Sequence, residues 1–124
     1  MLWVAYQVED TIAAKATPAG GAPRGILRVS GPDTVKCLGR CFDSEMVQWS
    51  NVRSAQVIPG ALQLPEPIGP VPCELYLWPG VRSYTRQPSA EIHLPGSPPL
   101  LELALETLCN CGARLAEAGE FTMR

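Results

Sequence analysis

The stretch GILRVSG, residues 25–31, decides how this chain is read, because it sets a charged Arg28 inside what otherwise reads as a buried strand. Side chains alternate along an extended chain, so Leu27 and Val29 share one face while Ile26, Arg28 and Ser30 share the other. A guanidinium buried without a partner would cost on the order of several kcal/mol. Arg28 is therefore either solvated or paired with something anionic. The stretch SAEIHL, residues 89–94, repeats the arrangement: Ala90, Ile92 and Leu94 lie on one face, with Glu91 and the chain's only histidine, His93, on the other. Two readings of these mid-strand charges stay open. They are the wet side of a half-buried antiparallel sheet, or they line a polar pocket between strands.

Working outward from residue 25, the upstream segment Pro18 to Arg24 is a loop whose Gly20, Gly21 and Pro23 permit unusual backbone angles, and glycine amides can cradle an anion. Such a connection is also an ordinary turn. Before it, DTIAAKAT (10–17) reads as a strand running into the loop. The opening Met1 to Val8 has no clean period. Downstream, Gly31-Pro32-Asp33 starts a helix, with proline tolerated in the first turn and Asp33 favourable at the positive end of the dipole. Val35, Leu38 and Phe42 recur there at helical spacing. Cys37 and Cys41 are four apart, a possible metal spacing, but no further nearby Cys or His completes a ligand set, so they read as small core residues.

From Asp43 to Val71 the chain reads as loop, with a strand around Ser54 to Ile58 and prolines at 59, 65, 67 and 70. CELYLW (73–78) alternates Cys73, Leu75 and Leu77 against Glu74, Tyr76 and Trp78, which predicts a strand closed by Pro79-Gly80. The strongest helix signal follows Pro95-Gly96: Ser97 at the N-cap, Pro98 at the first helical position, Leu101, Ala104, Leu105 and Leu108 at i, i+3, i+4, i+7, and Gly112 at the end. Leu100 and Leu103 widen its apolar face beyond a simple stripe, which implies covering on more than one side: a partner surface is one reading, and a helix laid across a sheet is the preferred one. Ala113 to Ala116 reads as a short strand. The fold class is α+β, a mixed or antiparallel sheet with two main helices, in one domain spanning 1–124.

At 124 residues the chain holds one core's worth of apolar surface. A net charge of -2 and scattered Lys and Arg argue against a free-standing nucleic-acid binder. No apolar run approaches the roughly 20 residues of a membrane span, and no secretion signal is visible. Five cysteines, an odd number, suit a reducing compartment, so a cytoplasmic location without membrane contact is expected. There is no G-x-x-x-x-G-K-[ST], so the chain is no GTPase by itself. A serine-nucleophile system would need His93 beside a serine in a strained elbow, which is missing. One histidine and no paired-cysteine motif also leave zinc catalysis without ligands.

Several segments together carry a resemblance: DTIAAKATPAG (10–20), GILRVSGPD (25–33), SYT (83–85), AEIH (90–93) and GARLAEAGEFTMR (112–124). In order and spacing they resemble the N-terminal domain of the TrmE (MnmE) tRNA-modification GTPases. The resemblance implies a fold similar to the folate-binding fold of glycine-cleavage aminomethyltransferases, and a homodimer with folate near its interface. It further implies 5-formyltetrahydrofolate as ligand, with the strand arginine at Arg28 and the strand acid at Glu91 as its contacts. A carboxylate can accept two N–H bonds from an aminopyrimidinone edge, and a guanidinium can meet a carbonyl, a formyl oxygen or a glutamate tail. The chain would bind and not catalyse. Modification of C5 of the wobble uridine would need tRNA, a flavin-dependent partner protein, and a GTPase domain with its GTP, magnesium and potassium.

The chain departs from that pattern in three places. Arg86-Gln87-Pro88 stands where the family usually has Gly-Glu-Asp, Leu94-Pro95-Gly96-Ser97 where it has Cys-His-Gly-Gly, and Ala19 and Gly21 replace an arginine and a proline of the first loop. In the family the EFTxR motif runs on into helical and GTPase domains, and a lysine just beyond also contacts folate. The expectation is a domain cut from a longer protein. A degenerate copy serving as an interaction module, and a free-standing one-carbon transferase using Glu91 and His93, are the competing readings.

Overall fold

The two charged strands are neighbours. In a computed structural model, which describes residues 10–16, 23–80 and 87–123, Arg24–Ser30 and Ser89–Pro95 pair antiparallel along their whole length. In chain order the elements are β1 (Ile12–Lys15), β2 (Arg24–Ser30), α1 (Thr34–Cys41), β3 (Phe42–Asp43), a 3-10 turn (Trp49–Asn51), β4 (Gln56–Gln63), β5 (Pro70–Trp78), β6 (Ser89–Pro95), α2 (Pro98–Asn110), β7 (Arg114–Leu115) and α3 (Glu120–Met123). The strands form one sheet in the order β3-β4-β5-β6-β2-β1-β7. Every pair is antiparallel except β1 with β7. The class is α+β, a mixed sheet with two main helices and a single-turn third.

Alternation decides which face is covered. Leu27, Val29, Leu75, Leu77, Ala90, Ile92 and Leu94 point to one side and are buried. The apolar stripe of α2, with Leu101, Ala104, Leu105 and Leu108, joins them in one core with Cys37, Leu38 and Cys41 of α1. This is the preferred reading of α2, a helix across a sheet; Leu100 and Leu103 are partly buried against the same core. Its approach is close at Gly25, where an added Cβ would come within 2.5 Å of the Leu101 side chain. Gly31, at φ 141°, serves a second close approach, since a Cβ there would meet the Thr11 Cα at 2.5 Å.

Two elements differ from the sequence reading, for identifiable reasons. The strand expected at 54–58 runs from Gln56 to Gln63, through Pro59, and its partner starts at Pro70, three residues before Cys73. Proline cannot donate to a ladder and is confined to unpaired strand sides. Here β3 pairs β4 only at Ala61 and Leu62, so Pro59 lies on an edge; β6 pairs β5 only from Glu74 onward, so Pro70 and Pro72 do as well. Phe42, expected on α1, ends that helix and enters β3, where its ring meets Trp49 edge-on with centroids 6.2 Å apart. α1 itself begins at Thr34. Asp33 holds the N-cap position without a side-chain cap, and its backbone N–H donates to Thr11 Oγ1 at 2.8 Å. The expected loop at 18–24 and the SYT segment fall largely outside the described residues.

Candidate functional site

The sheet face turned away from α1 and α2 carries the charges. Because β2 and β6 pair in direct register, Arg28 stands opposite Glu91, and across β5 and β4 the same row continues through Tyr76 and Val57. The next row holds Ile26, His93, Glu74 and Pro59. Arg28 Nε donates to Glu91 Oε2 at 3.0 Å, and His93 Nε2 lies 3.1 Å from Glu91 Oε1. Each carboxylate oxygen thus meets one protein donor. An ionised carboxylate only accepts, so the His93 proton sits on Nε2.

Exposure falls along this trio. The side chain of Arg28 is 50% exposed, that of Glu91 24% and that of His93 12%. The His93 ring packs on Tyr76, with centroids 4.3 Å apart and planes tilted by 41°. Its Nδ1 is buried and has no hydrogen-bond partner among the described residues. Beyond it, Glu74 pairs with Arg24 across 3.3 Å. Partial burial alone would raise the Glu91 carboxyl, but hydrogen bonds from His93 and Arg28 together with the Arg28 charge outweigh it, and the group lies below its usual value.

Two hollows flank the trio. One, of about 200 Å³, is lined by Arg28, Ser30, Trp78, Ser89, Glu91 and Phe121. The other, of about 510 Å³, lies toward Arg24, Glu74, His93, Pro59, Pro72 and Pro95. Glu91 and Arg28 open into the first and His93 into the second. Among the described residues no group of three or more His, Cys, Asp or Glu is placed to hold a metal ion.

A family model described as "GTP-binding protein TrmE N-terminus" matches residues 11–124. The chain belongs to the TrmE N-terminal family. Within it, a protein of Rhodopirellula baltica called tRNA modification GTPase MnmE is 46% identical over 121 residues, covering 95% of this chain and 25% of that protein. Proteins of the same name from Chloroflexus aurantiacus and Nitratidesulfovibrio vulgaris are 40% and 36% identical over 119 residues each. The chain spans about a quarter of the length of these relatives.

For this member of the TrmE N-terminal family, both sequence-nominated residues, Arg28 and Glu91, come together. His93, which alternation put on the same strand face as Glu91, is part of the same cluster. Sequence reasoning missed Trp78 and Phe121 as walls. The alternation in CELYLW put Trp78 on the polar face, but only register places it beside Glu91; Phe121 was legible merely as part of a motif. The departures at 88 and 94–96 have structural roles. The Pro88 carbonyl accepts from Gly31 N–H at 3.0 Å, Leu94 is buried in the core, and Gly96 N–H donates to the Pro23 carbonyl at 3.3 Å.

The end motif of the TrmE N-terminal family also has a structural task. Arg114 donates to both Glu120 oxygens, at 3.1 and 2.6 Å, and to Asp10 Oδ2 at 2.6 Å, while Glu120 is 3% exposed. Glu120 also accepts from the Glu117 backbone N–H at 3.0 Å. The cluster ties α3 to the start of β1. The cysteines of α1 are core residues, as expected: Cys37 Sγ donates to the Leu108 carbonyl at 3.4 Å and Cys41 Sγ to the Cys37 carbonyl at 3.5 Å. Burial pushes the Cys73 thiol up to about 11, against a smaller opposing effect of a hydrogen bond to the Leu62 backbone.

Proposed function

We propose that this chain is the folate-binding and dimerisation unit of a tRNA modification GTPase, with 5-formyltetrahydrofolate held at Arg28 and Glu91. The observation that carries the reading is the direct opposition of these two residues beside a concave hollow, in a chain whose relatives are called tRNA modification GTPases. The donor set fits the ligand. Each Glu91 oxygen keeps a lone pair for the adjacent N–H groups of an aminopyrimidinone edge, and the half-exposed guanidinium of Arg28 keeps N–H donors for a ligand oxygen. The Trp78 and Phe121 rings offer apolar faces to a flat bicyclic group.

Size argues for a shared site. Pockets that enclose a drug-sized ligand run from about 300 Å³ upward, and the hollow beside Glu91 holds about 200 Å³. It suits the pteridine end of a folate and leaves the remainder to a surface supplied by a second copy. The chain contributes binding and pairing in this reading, on a fold like that of the aminomethyltransferases. One-carbon chemistry on tRNA belongs to the whole cytoplasmic assembly, with its GTPase domain and flavin-dependent partner.

One observation favours a second reading. Arg28 and His93 already satisfy Glu91, so the cluster is stable without a ligand, as a degenerate interaction module would require. Amide chemical-shift mapping of the chain with 5-formyltetrahydrofolate separates the two. Folate binding predicts saturable shifts concentrated at residues 28–30, 76–78 and 89–93; a spectrum unchanged at millimolar folate would support the interaction module.

A further inference from the structure

We propose, building on the folate reading above, that His93 is a positioning residue, whose Nε2–H fixes the Glu91 carboxylate in the one plane that presents its remaining lone pairs to a ligand bearing two adjacent N–H donors. The geometry makes the case. A glutamate side chain has three rotatable bonds, and a half-exposed arginine on one oxygen leaves the carboxylate free to pivot about that contact. The second contact, from His93 to Oε1 at 3.1 Å, removes the pivot. His93 is itself held: its side chain is 12% exposed, its ring lies against Tyr76, and Glu74 stands opposite it on β5.

The ring's other nitrogen shows that packing alone does not account for this residue. Nδ1 is buried without a partner among the described residues, which leaves its acceptor unsatisfied, whereas an apolar side chain of similar size would have no such cost there. What the ring does supply there is the Nε2–H bond to Glu91. Among the described residues, the charged and titratable groups around it are Arg28 on β2, Glu74 and Tyr76 on β5, and Glu91 on β6, with Arg24 engaged by Glu74. Glu91 is the carboxylate it bonds. The result is a pre-set acceptor pair that favours an amino-imino edge and disfavours one where an oxo group replaces the amino group, because carboxylate and carbonyl oxygens would then face each other without a proton.

The test compares His93→Gln, whose amide N–H reaches the Nε2 position, with His93→Asn, whose amide stops near Nδ1, and with His93→Leu. Carbon-13 NMR of the ligand-free chain reads the Glu91 carboxyl titration, and calorimetry reads affinity for 5-formyltetrahydrofolate, alone and in a Glu91→Gln background. The expected result is that Gln preserves both readouts. Asn and Leu move the Glu91 titration upward and weaken folate roughly tenfold, about 1.4 kcal/mol, with no further loss once Glu91 is Gln. A Glu91 titration unmoved in all three variants overturns the proposal, and so do losses that simply add in the Glu91→Gln background. If Leu prevents folding, the Gln and Asn pair decides, and equal behaviour of the two overturns it. Absence of folate binding in the unsubstituted chain, with the titration shifts present, defeats the folate reading and leaves His93's hold on Glu91 intact.

Discussion

At the scale of residues, the central feature is a carboxylate held below its usual pKa by two donors on adjacent strands. The sign of its linkage to stability follows. A carboxyl depressed by folding contributes stability that is present above its unfolded value of about 4.3 and is lost as pH falls through the folded value. Glu91→Gln removes that contribution, so the loss of stability between pH 7 and pH 3, read by urea denaturation, is expected to be smaller in the variant. An equal loss in both proteins would mean that Glu91 is not so held. Arg28 and Glu91 stood out in the sequence because a charge in mid-strand demands an explanation, and the family resemblance made them candidate ligand contacts. Their contact was not legible, since it depends on pairing register between segments about 60 residues apart. The role of His93 was hidden for the same reason.

At the scale of elements, the clearly periodic segments were legible: β2, β6 and α2 form where alternation, proline, glycine and the leucine stripe placed them. The proline-rich middle was not, because whether a proline is tolerated in a strand depends on how far its neighbours extend, and chain-local pattern carries no such information. α3 was missed because one turn is too short to show a period. Its anchorage is electrostatic. The Arg114 guanidinium serves Asp10 and both oxygens of a buried Glu120. Glu120→Gln keeps the shape, removes the charge and leaves Arg114 39% exposed to recover partly through solvent. It is expected to lower stability by about 1–2 kcal/mol, discounted from the figure for a fully buried pair. Thermal unfolding checks this, and an unchanged midpoint would mean that the tie holds nothing.

At the scale of the whole molecule, one sheet face is sealed by two helices while the other carries Arg28, Glu91, His93, Tyr76 and Val57, with no helix of comparable length over it among the described residues. Among the described residues the outermost strands, β3 and β7, have two residues each, and the part of β4 that β3 leaves unpaired carries Pro59; short edge strands and an edge proline both discourage edge-to-edge pairing. Pairing through a surface around the charged face is what the folate reading requires. Sedimentation equilibrium is expected to show a monomer–dimer equilibrium shifted toward dimer by 5-formyltetrahydrofolate; a monomer at every concentration, with or without folate, would remove the shared site. The most direct test of the central claim is a calorimetric titration of the chain with 5-formyltetrahydrofolate, beside Glu91→Gln and Arg28→Ala. The account predicts saturable binding that each substitution weakens by about tenfold or more, roughly 1.4 kcal/mol. Binding that both substitutions leave unchanged, or no binding at all, would contradict it.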